Sequence, residues 1–358
     1  MVHSLAGGTG SGLGARIGQA LADEYGSSHV FASAISPYEA GEVIVQNYNA
    51  LLSLSTLYRA CDGITLLPND DAHAVVSKLH GVADVSFHHI NAVMGQQLGS
   101  LFLPSTVAAG EAIDSSLGYD PDPYLALESG NPLLLAKKKE AHAKARAAAG
   151  IPLIPVLPQG IDAEGNCSPL DAFVATVPHP AYKLLAIKTL PQIPEASAAF
   201  ASHSWGQILK HLRQMLVANA PMEEGINWRI KPSSLSANIS VANTLFLRGP
   251  DLEQSLPHLP SFVDPQLYAS WAGAPHEPLS LRVSPTPVAA GERTATLLTN
   301  SQVHTTPLAK LVCKADEMIN SGAYLHHYAA YGVEGDEIQA ASLDIQQVVA
   351  DYQALSES

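Results

Sequence analysis

The sequence predicts an α/β protein: part of a parallel sheet first, a mixed α/β unit next, and a helical hairpin at the end. Three observations carry this. Val2-His3-Ser4-Leu5 reads as the end of a strand and runs straight into Ala6-Gly7-Gly8-Thr9-Gly10-Ser11-Gly12, then into helical periodicity. Short apolar runs alternate with amphipathic helices over roughly the first hundred residues, the pattern of strands joined by helical crossovers. Two alternating stretches and two long helical patterns follow downstream.

Each element has its own local reason. Leu13, Ile17, Ala20 and Leu21 fall on one face of a helix expected from Ser11 to Tyr25. Strands are predicted at His29–Ile35 and Gly63–Leu67, with helices at Val45–Arg59 and Asp70–His80. Ile90, Val93, Met94, Leu98, Leu101 and Phe102 recur at three- and four-residue steps, predicting a longer helix over Ser86–Leu103. A strand feeding a glycine loop wants parallel neighbours on both sides. Only later strands are available, so one flank of this Rossmann-like sheet is expected to lie outside the sequence.

Composition then shifts. Ser116–Asn166 holds Asp120-Pro121-Asp122-Pro123, an alanine- and lysine-rich stretch, and a proline-punctuated run, predicting an inserted surface segment. Lys137-Lys138-Lys139 reads as a solvated helix face. Beyond it, Trp205, Ile208, Leu209, Leu212 and Leu216 mark an amphipathic helix. Ile239–Leu247 and Thr294–Leu298 alternate like antiparallel strands, and Pro250–Pro287 is loop-rich. Leu308–Leu325 and Glu334–Leu355 close the chain as helices. The expected units are 1–104, the second half of a parallel α/β domain with its central helix; 105–166, the insertion; 167–306, a mixed α/β domain; and 307–358, the C-terminal helical region.

The net charge is −14, with 47% hydrophobic and 15% charged residues. That composition excludes wholesale disorder and argues against a general nucleic-acid binder, which needs a basic face. No apolar run reaches the ~20 residues of a membrane helix, so no membrane partner is expected. Cys61, Cys167 and Cys313 stand apart, fit a reducing, cytoplasmic setting, and make neither a disulfide framework nor a metal site.

The glycine loop carries the chemistry. Four glycines between Gly7 and Gly12 let backbone N–H groups converge into an anion site, Thr9 and Ser11 add hydroxyls, and the helix N-terminus adds partial positive charge. A di- or triphosphate is the natural occupant. No lysine follows the last glycine, so this is not the Walker sequence. Asp23 and Glu24 come too early for the dinucleotide fingerprint. A tight strand–helix turn without a ligand stands as the alternative.

The loop resembles the tubulin signature, with Ala6 where α and β forms carry a third glycine. The resemblance extends through Pro37-Tyr38, Gly41 to Asn49, Asn69, Phe87 and Asn91, then Val177-Pro178-His179-Pro180, His211-Leu212-Arg213 and Met222 to Trp228. Among tubulins, the string Gly41 to Asn49 with Leu57-Tyr58-Arg59, and the Met222–Trp228 tract, are most similar to the delta class. It covers nearly the whole chain outside Ser116–Asn166.

The resemblance implies a tubulin-like GTPase fold and GTP or GDP as ligand. Ser4 and Ala6 to Gly12 (Ala6, Gly7, Gly8, Thr9, Gly10, Ser11, Gly12) would hold phosphates, and Glu42 would approach the ribose. Asn69 and Asn91 would read the guanine edge, since an amide offers both donor and acceptor, and Phe87 would stack on the base. Phe87 alone would otherwise read as a core residue. Asp171, seven residues before Pro178, would orient the attacking water in the next subunit's site, making hydrolysis conditional on assembly; alternatively it caps a helix at Pro169-Leu170. The family implies other tubulins and microtubule or centriole components as partners, cytoskeletal placement at centrioles, basal bodies and cilia, and a role in triplet microtubules. A non-hydrolysing structural relative and an inactive fragment are the alternatives.

Three departures qualify the carry-over. Gln46 replaces a ribose-contacting glutamate. Tyr352 to Ser358 lacks the long glutamate-rich tail. The first third of a tubulin, with the residues near Mg²⁺, has no counterpart, so magnesium is expected with the nucleotide but without protein ligands from this chain. A gene model begun at an internal methionine would explain that.

Overall fold

The computed structural model describes residues 1–26, 28–41, 43–107, 166–194, 197, 203–272, 278–288 and 293–356. Most of the expected insertion, residues 108–165, and Glu42 lie outside the described residues.

Parallel strands β1 (Val2–Ser4), β2 (Phe31–Ser36) and β3 (Gly63–Pro68) alternate with helices α1 (Gly14–Glu24) and α2 (Gln46–Ala60). After β3 come α3 (Asn69–Ala74), α4 (Phe87–Phe102), β4 (Ser105–Val107), β5 (Asn166–Cys167), α5 (Pro169–Thr176) and β6 (Leu184–Leu190). Then follow α6 (Trp205–Val217), β7 (Ser240–Arg248), β8 (Leu279–Ser284) and β9 (Thr294–Ser301). Helices α7 (Thr305–Asn320), α8 (Leu325–Ala329) and α9 (Gly335–Gln353) close the chain. Among the described residues the strands form one nine-stranded sheet in the order β1-β2-β3-β6-β9-β7-β8-β4-β5. The two halves join where β3 meets β6 in parallel, over Ile64–Leu184 and Thr65–Leu185. β9 runs antiparallel to both β6 and β7, as the alternating stretches predict.

The sheet is covered on both sides, and α2 is the most enclosed helix of the first half. Leu51, Leu54 and Leu57 are fully buried in one cluster with Ile64 of β3, Val312 of α7, and Ile338, Ile345 and Tyr352 of α9. A second cluster seats Leu209, Leu212 and Leu216 of α6 on Leu245, Leu247, Leu281 and Leu297. On the other side of β7, Phe246 packs with Leu101 of α4 and Phe173 of α5.

Three expectations need correction. Most of the stripe on α1 faces outward: Leu13 is 54% and Ile17 45% exposed, Leu21 alone of the four packs on the core, and the buried positions are Ala15 and Gly18. Small residues let α1 lie close to α2: a Cβ on Gly18 would come within 3.2 Å of Leu57 Cδ2 and 2.7 Å of Met1 Cε. Within the stretch read as loop-rich, Leu279–Ser284 is a buried strand, held by parallel pairing with β7. The helix expected over Leu308–Leu325 ends at Asn320, where Gly322 and then Tyr324 adopt left-handed backbone (φ +66° and +59°).

Helix α4 is secured at its far end by one side chain. Arg248 is 1% exposed and donates through Nε to Ser100 O (2.9 Å), Nη1 to Pro104 O (2.9 Å) and Nη2 to Leu103 O (2.6 Å). The carbonyls at a helix's end lack intrahelical donors, so the guanidinium acts as a C-cap. Burial lowers its pKa to about 10, leaving it charged at neutral pH. Arg248→Met should cost about 2–4 kcal/mol in urea unfolding, because it leaves these buried carbonyls unpaired.

Candidate functional site

Because β1, β2 and β3 are parallel, their C-terminal ends share one edge, where open α/β sheets bind ligands. The glycine loop follows β1, the turn from Pro37 to Val45 follows β2, and Asn69 follows β3. This brings three segments of the sequence-predicted site to one edge.

The loop winds directly into a π-helical turn, Thr9–Leu13, entered through Gly8 in right-handed helical backbone. Ser4 Oγ accepts from the Ala6 N–H at 3.3 Å. His3 Nδ1 lies 3.0 Å from Gly10 O and 3.3 Å from Ser4 O, so it donates across the turn. Buried Ser11 donates from Oγ to Gly7 O and Gly8 O. The glycines divide into two kinds. A Cβ on Gly14 would sit 2.7 Å from His3 Nδ1, and one on Gly10 3.3 Å from the Ser4 backbone, so these two permit close packing. A Cβ on Gly7, Gly8 or Gly12 would meet nothing within 4 Å. The protein itself does not demand glycine at those three. The open cradle they leave fits a phosphate chain.

After the neighbouring strand β2, Tyr38, Ala40, Gly41, His73, Val85, Ser86 and Phe87 line a groove of about 460 Å³. Phe87 opens α4 and is 53% exposed, so it is no core residue. Its ring lies 6.5 Å from that of Tyr38, whose hydroxyl is 3.0 Å from His73 Nδ1. The turn at Ser86 is held by His89, whose Nδ1 accepts from the Ser86 N–H at 3.2 Å. Asn91 is exposed one helical turn beyond Phe87, on the same face. Asn69 is buried at the start of α3, which meets α4 through Ala72, Ile90 and Met94. Neither asparagine lines the groove.

Sequence reasoning did not single out the ties that shape the loop after β2. Gln46 Nε2 donates to Tyr38 O at 2.9 Å, a bond that glutamate could not make. Gly41 is left-handed (φ +80°), and a Cβ there would be 3.1 Å from Gln46 Nε2. The Glu39 N–H donates to Asp70 Oδ2 (2.9 Å), its carboxylate pairs with Lys310 (3.1 Å), and its carbonyl accepts from Lys314 Nζ (2.8 Å). Behind the loop is a cavity of about 290 Å³ lined by Lys188 and His304, among others. Burial lowers the Lys188 pKa to about 8, against a raising effect from Asp71, and lowers that of His304 to about 4. Leu184–Leu190 reads as an apolar run, and a lysine inside it, Lys188, is the signal that could have flagged this cavity.

Asp171 stands elsewhere. It is exposed in the first turn of α5, and the cap of that helix is Ser168, whose Oγ accepts from the Leu170 N–H at 3.2 Å. Two residues on, Phe173 packs 5.2 Å from Phe31, at the N-terminal end of β2, and 5.7 Å from Phe102, at the end of α4. A 16-residue helix spans about 24 Å. Phe87 and Asp171 therefore lie toward opposite ends of α4. Among the described residues no group of three or more His, Cys, Asp or Glu side chains is placed to hold a metal ion, and no helix is long and apolar enough to cross a membrane.

Residues 1–77 match the family model for the Tubulin/FtsZ family, GTPase domain. The chain is 35% identical over 366 aligned residues to the tubulin delta chain of Canis lupus familiaris, covering 98% of this chain and 69% of the relative. The human tubulin delta chain gives the same identity and coverage. The chain belongs to the tubulin family. Within it the chain is delta-like, for the likeness to a tubulin gamma chain of Eremothecium gossypii (35% identity) covers 29% of this chain and 23% of that relative. A GTPase domain of this family implies guanine-nucleotide binding.

The two kinds of glycine can be told apart by stability. Gly8→Ala should leave the melting temperature unchanged or slightly raised, since its backbone suits alanine and the space is open. Gly14→Ala should destabilise by about 1–3 kcal/mol by displacing His3.

Proposed function

We propose that this delta-like tubulin binds GTP and GDP at the edge formed by β1, β2 and β3, and serves in the cytoskeleton at centrioles and basal bodies, contributing to triplet microtubules with other tubulins. The observation that carries the nucleotide assignment is the pairing, at one sheet edge, of open glycine positions after β1 with an exposed Phe87 on the groove formed by the loop after the neighbouring β2. Ser4 and the loop from Ala6 to Gly12 hold the phosphates through backbone N–H groups, and Glu42 approaches the ribose. Phe87 stacks on the base, a contact of ~1–3 kcal/mol if base stacking on aromatics in nucleic-acid complexes is a guide. Asn69 and Asn91 hydrogen-bond the guanine edge. Magnesium accompanies the triphosphate.

GTP, when bound, supplies the γ-phosphoryl group whose transfer to water is the reaction. Asp171 orients that water, but in a neighbouring subunit's site. Its place toward the far end of α4 from Phe87 supports this, since about 24 Å separates the helix ends. Hydrolysis then requires longitudinal assembly.

Two measurements test the proposal. In competition binding the chain should prefer GTP and GDP over ATP, and Asn91→Ala should weaken GTP by ~1–3 kcal/mol through an unpaired base edge. Equal affinity for ATP would refute the guanine assignment. Asp171→Asn should leave GTP binding and assembly intact while abolishing turnover. Unchanged turnover would assign the residue a structural role and favour a non-hydrolysing relative.

A further inference from the structure

The glycine loop is also held from the C-terminal end of the chain. After α7 the Gly322 N–H donates to Ile319 O (2.9 Å) and the Ala323 N–H to Met318 O (3.0 Å). With left-handed Gly322 and Tyr324, the chain turns sharply and lays α8 against α2. Tyr48 of α2 donates its hydroxyl to Ala323 O (3.1 Å), and its ring meets Tyr328 edge-on at 5.6 Å. Tyr328 donates its hydroxyl to Asn49 Oδ1 (2.6 Å), and Asn49 Nδ2 donates to Ala6 O (3.0 Å).

That short chain of bonds has a direction. The Ala6 carbonyl can only accept, so Nδ2 of Asn49 must face it, which leaves Oδ1 to accept from the Tyr328 hydroxyl and lets that hydroxyl hold the amide in place. In a trans peptide the C=O and the following N–H point in opposite directions. Holding the Ala6 carbonyl toward α2 therefore turns the Gly7 N–H away from α2. Gly7 and Gly8 are the positions where added atoms would meet open space. Burial raises the Tyr328 pKa to about 12, so the hydroxyl keeps its proton at neutral pH.

Resting on the nucleotide reading above, we propose that Asn49 is a positioning residue of the phosphate loop and that Tyr328 orients it, so that the turn after α7 sets the loop's affinity for di- and triphosphates. Neither residue touches the ligand. Their effect falls on the phosphates and spares the base, because Ala6 opens the phosphate loop while Phe87 and Asn91 belong to α4.

The test measures binding of GTP, GDP and guanosine to the full chain, to Asn49→Leu, to Tyr328→Phe and to the double variant. Asn49→Leu should lower GTP and GDP affinity about tenfold and Tyr328→Phe about threefold, one or two lost hydrogen bonds. Guanosine affinity should not change. The double variant should be no weaker than Asn49→Leu alone, because Tyr328 acts through Asn49. Equal losses for guanosine and GTP, or additive losses in the double variant, would overturn the relay. If Asn49→Leu does not fold, the guanosine-to-GTP comparison in Tyr328→Phe decides alone. Variants that match a GTP-binding wild type sink the relay and leave the nucleotide site standing. A wild type that binds neither guanosine nor GTP sinks both.

Discussion

Arg248 leaves the end of β7 with its guanidinium buried and donates to three carbonyls at and just beyond the end of α4, those of Ser100, Leu103 and Pro104. A buried cation without partners costs several kcal/mol, and so do orphaned helix carbonyls. Each group therefore needs the other, and the contact ties α4 to the second half of the sheet. Ile90 and Met94 lie nearer the helix start, packed with Leu67 and Ala72 of the first half. One rigid helix thus crosses between the halves, and its length sets the separation between the groove at Phe87 and the exposed Asp171.

The candidate site depends on that frame and on a second set of ties. The loops after β1 and β2 have internal bonds, but each is also held by residues outside it. Asn49 holds the first, and Asp70, Lys310 and Lys314 hold the second through Glu39. The exposed ion pair of Lys310 and Glu39 contributes little to stability by itself. Its consequence is geometric, since both loops are anchored on helices that sit behind the sheet edge. A ligand at that edge and a change in α7 or α8 would act on the same few backbone groups.

Much of this was legible in the residues. The glycine loop, the long α4 and the antiparallel β7 and β9 each carry a local period or a composition that needs no partner to be read. Failures followed burial. β6 is Leu-Leu-Ala-Ile-Lys-Thr-Leu, almost wholly buried on both faces, so it shows no alternation to separate it from a core helix. β8 sits in proline-rich surroundings and exists because β7 pairs with it. The stripe on α1 misled because the helix meets α2 through alanine and glycine, which allow close approach and look featureless in sequence. At the site, residue types pointed to Asn69, Phe87 and Asn91 through family resemblance. The exposure of Phe87 and the burial of Asn69 were invisible.

By itself the sequence determined the elements and the chemistry they can carry: a glycine cradle at a strand end, an aromatic and two amides downstream, an acidic residue ahead of Val177-Pro178. These follow from spacing over a few residues, where backbone geometry leaves few choices. Tertiary structure alone decided which groups meet. It joined β3 to β6, set Arg248 on α4, and brought Tyr328 to Asn49 across 279 residues. Such pairings have no local signature, because they are selected by buried surface and by the requirement that buried polar groups find partners wherever the chain places them.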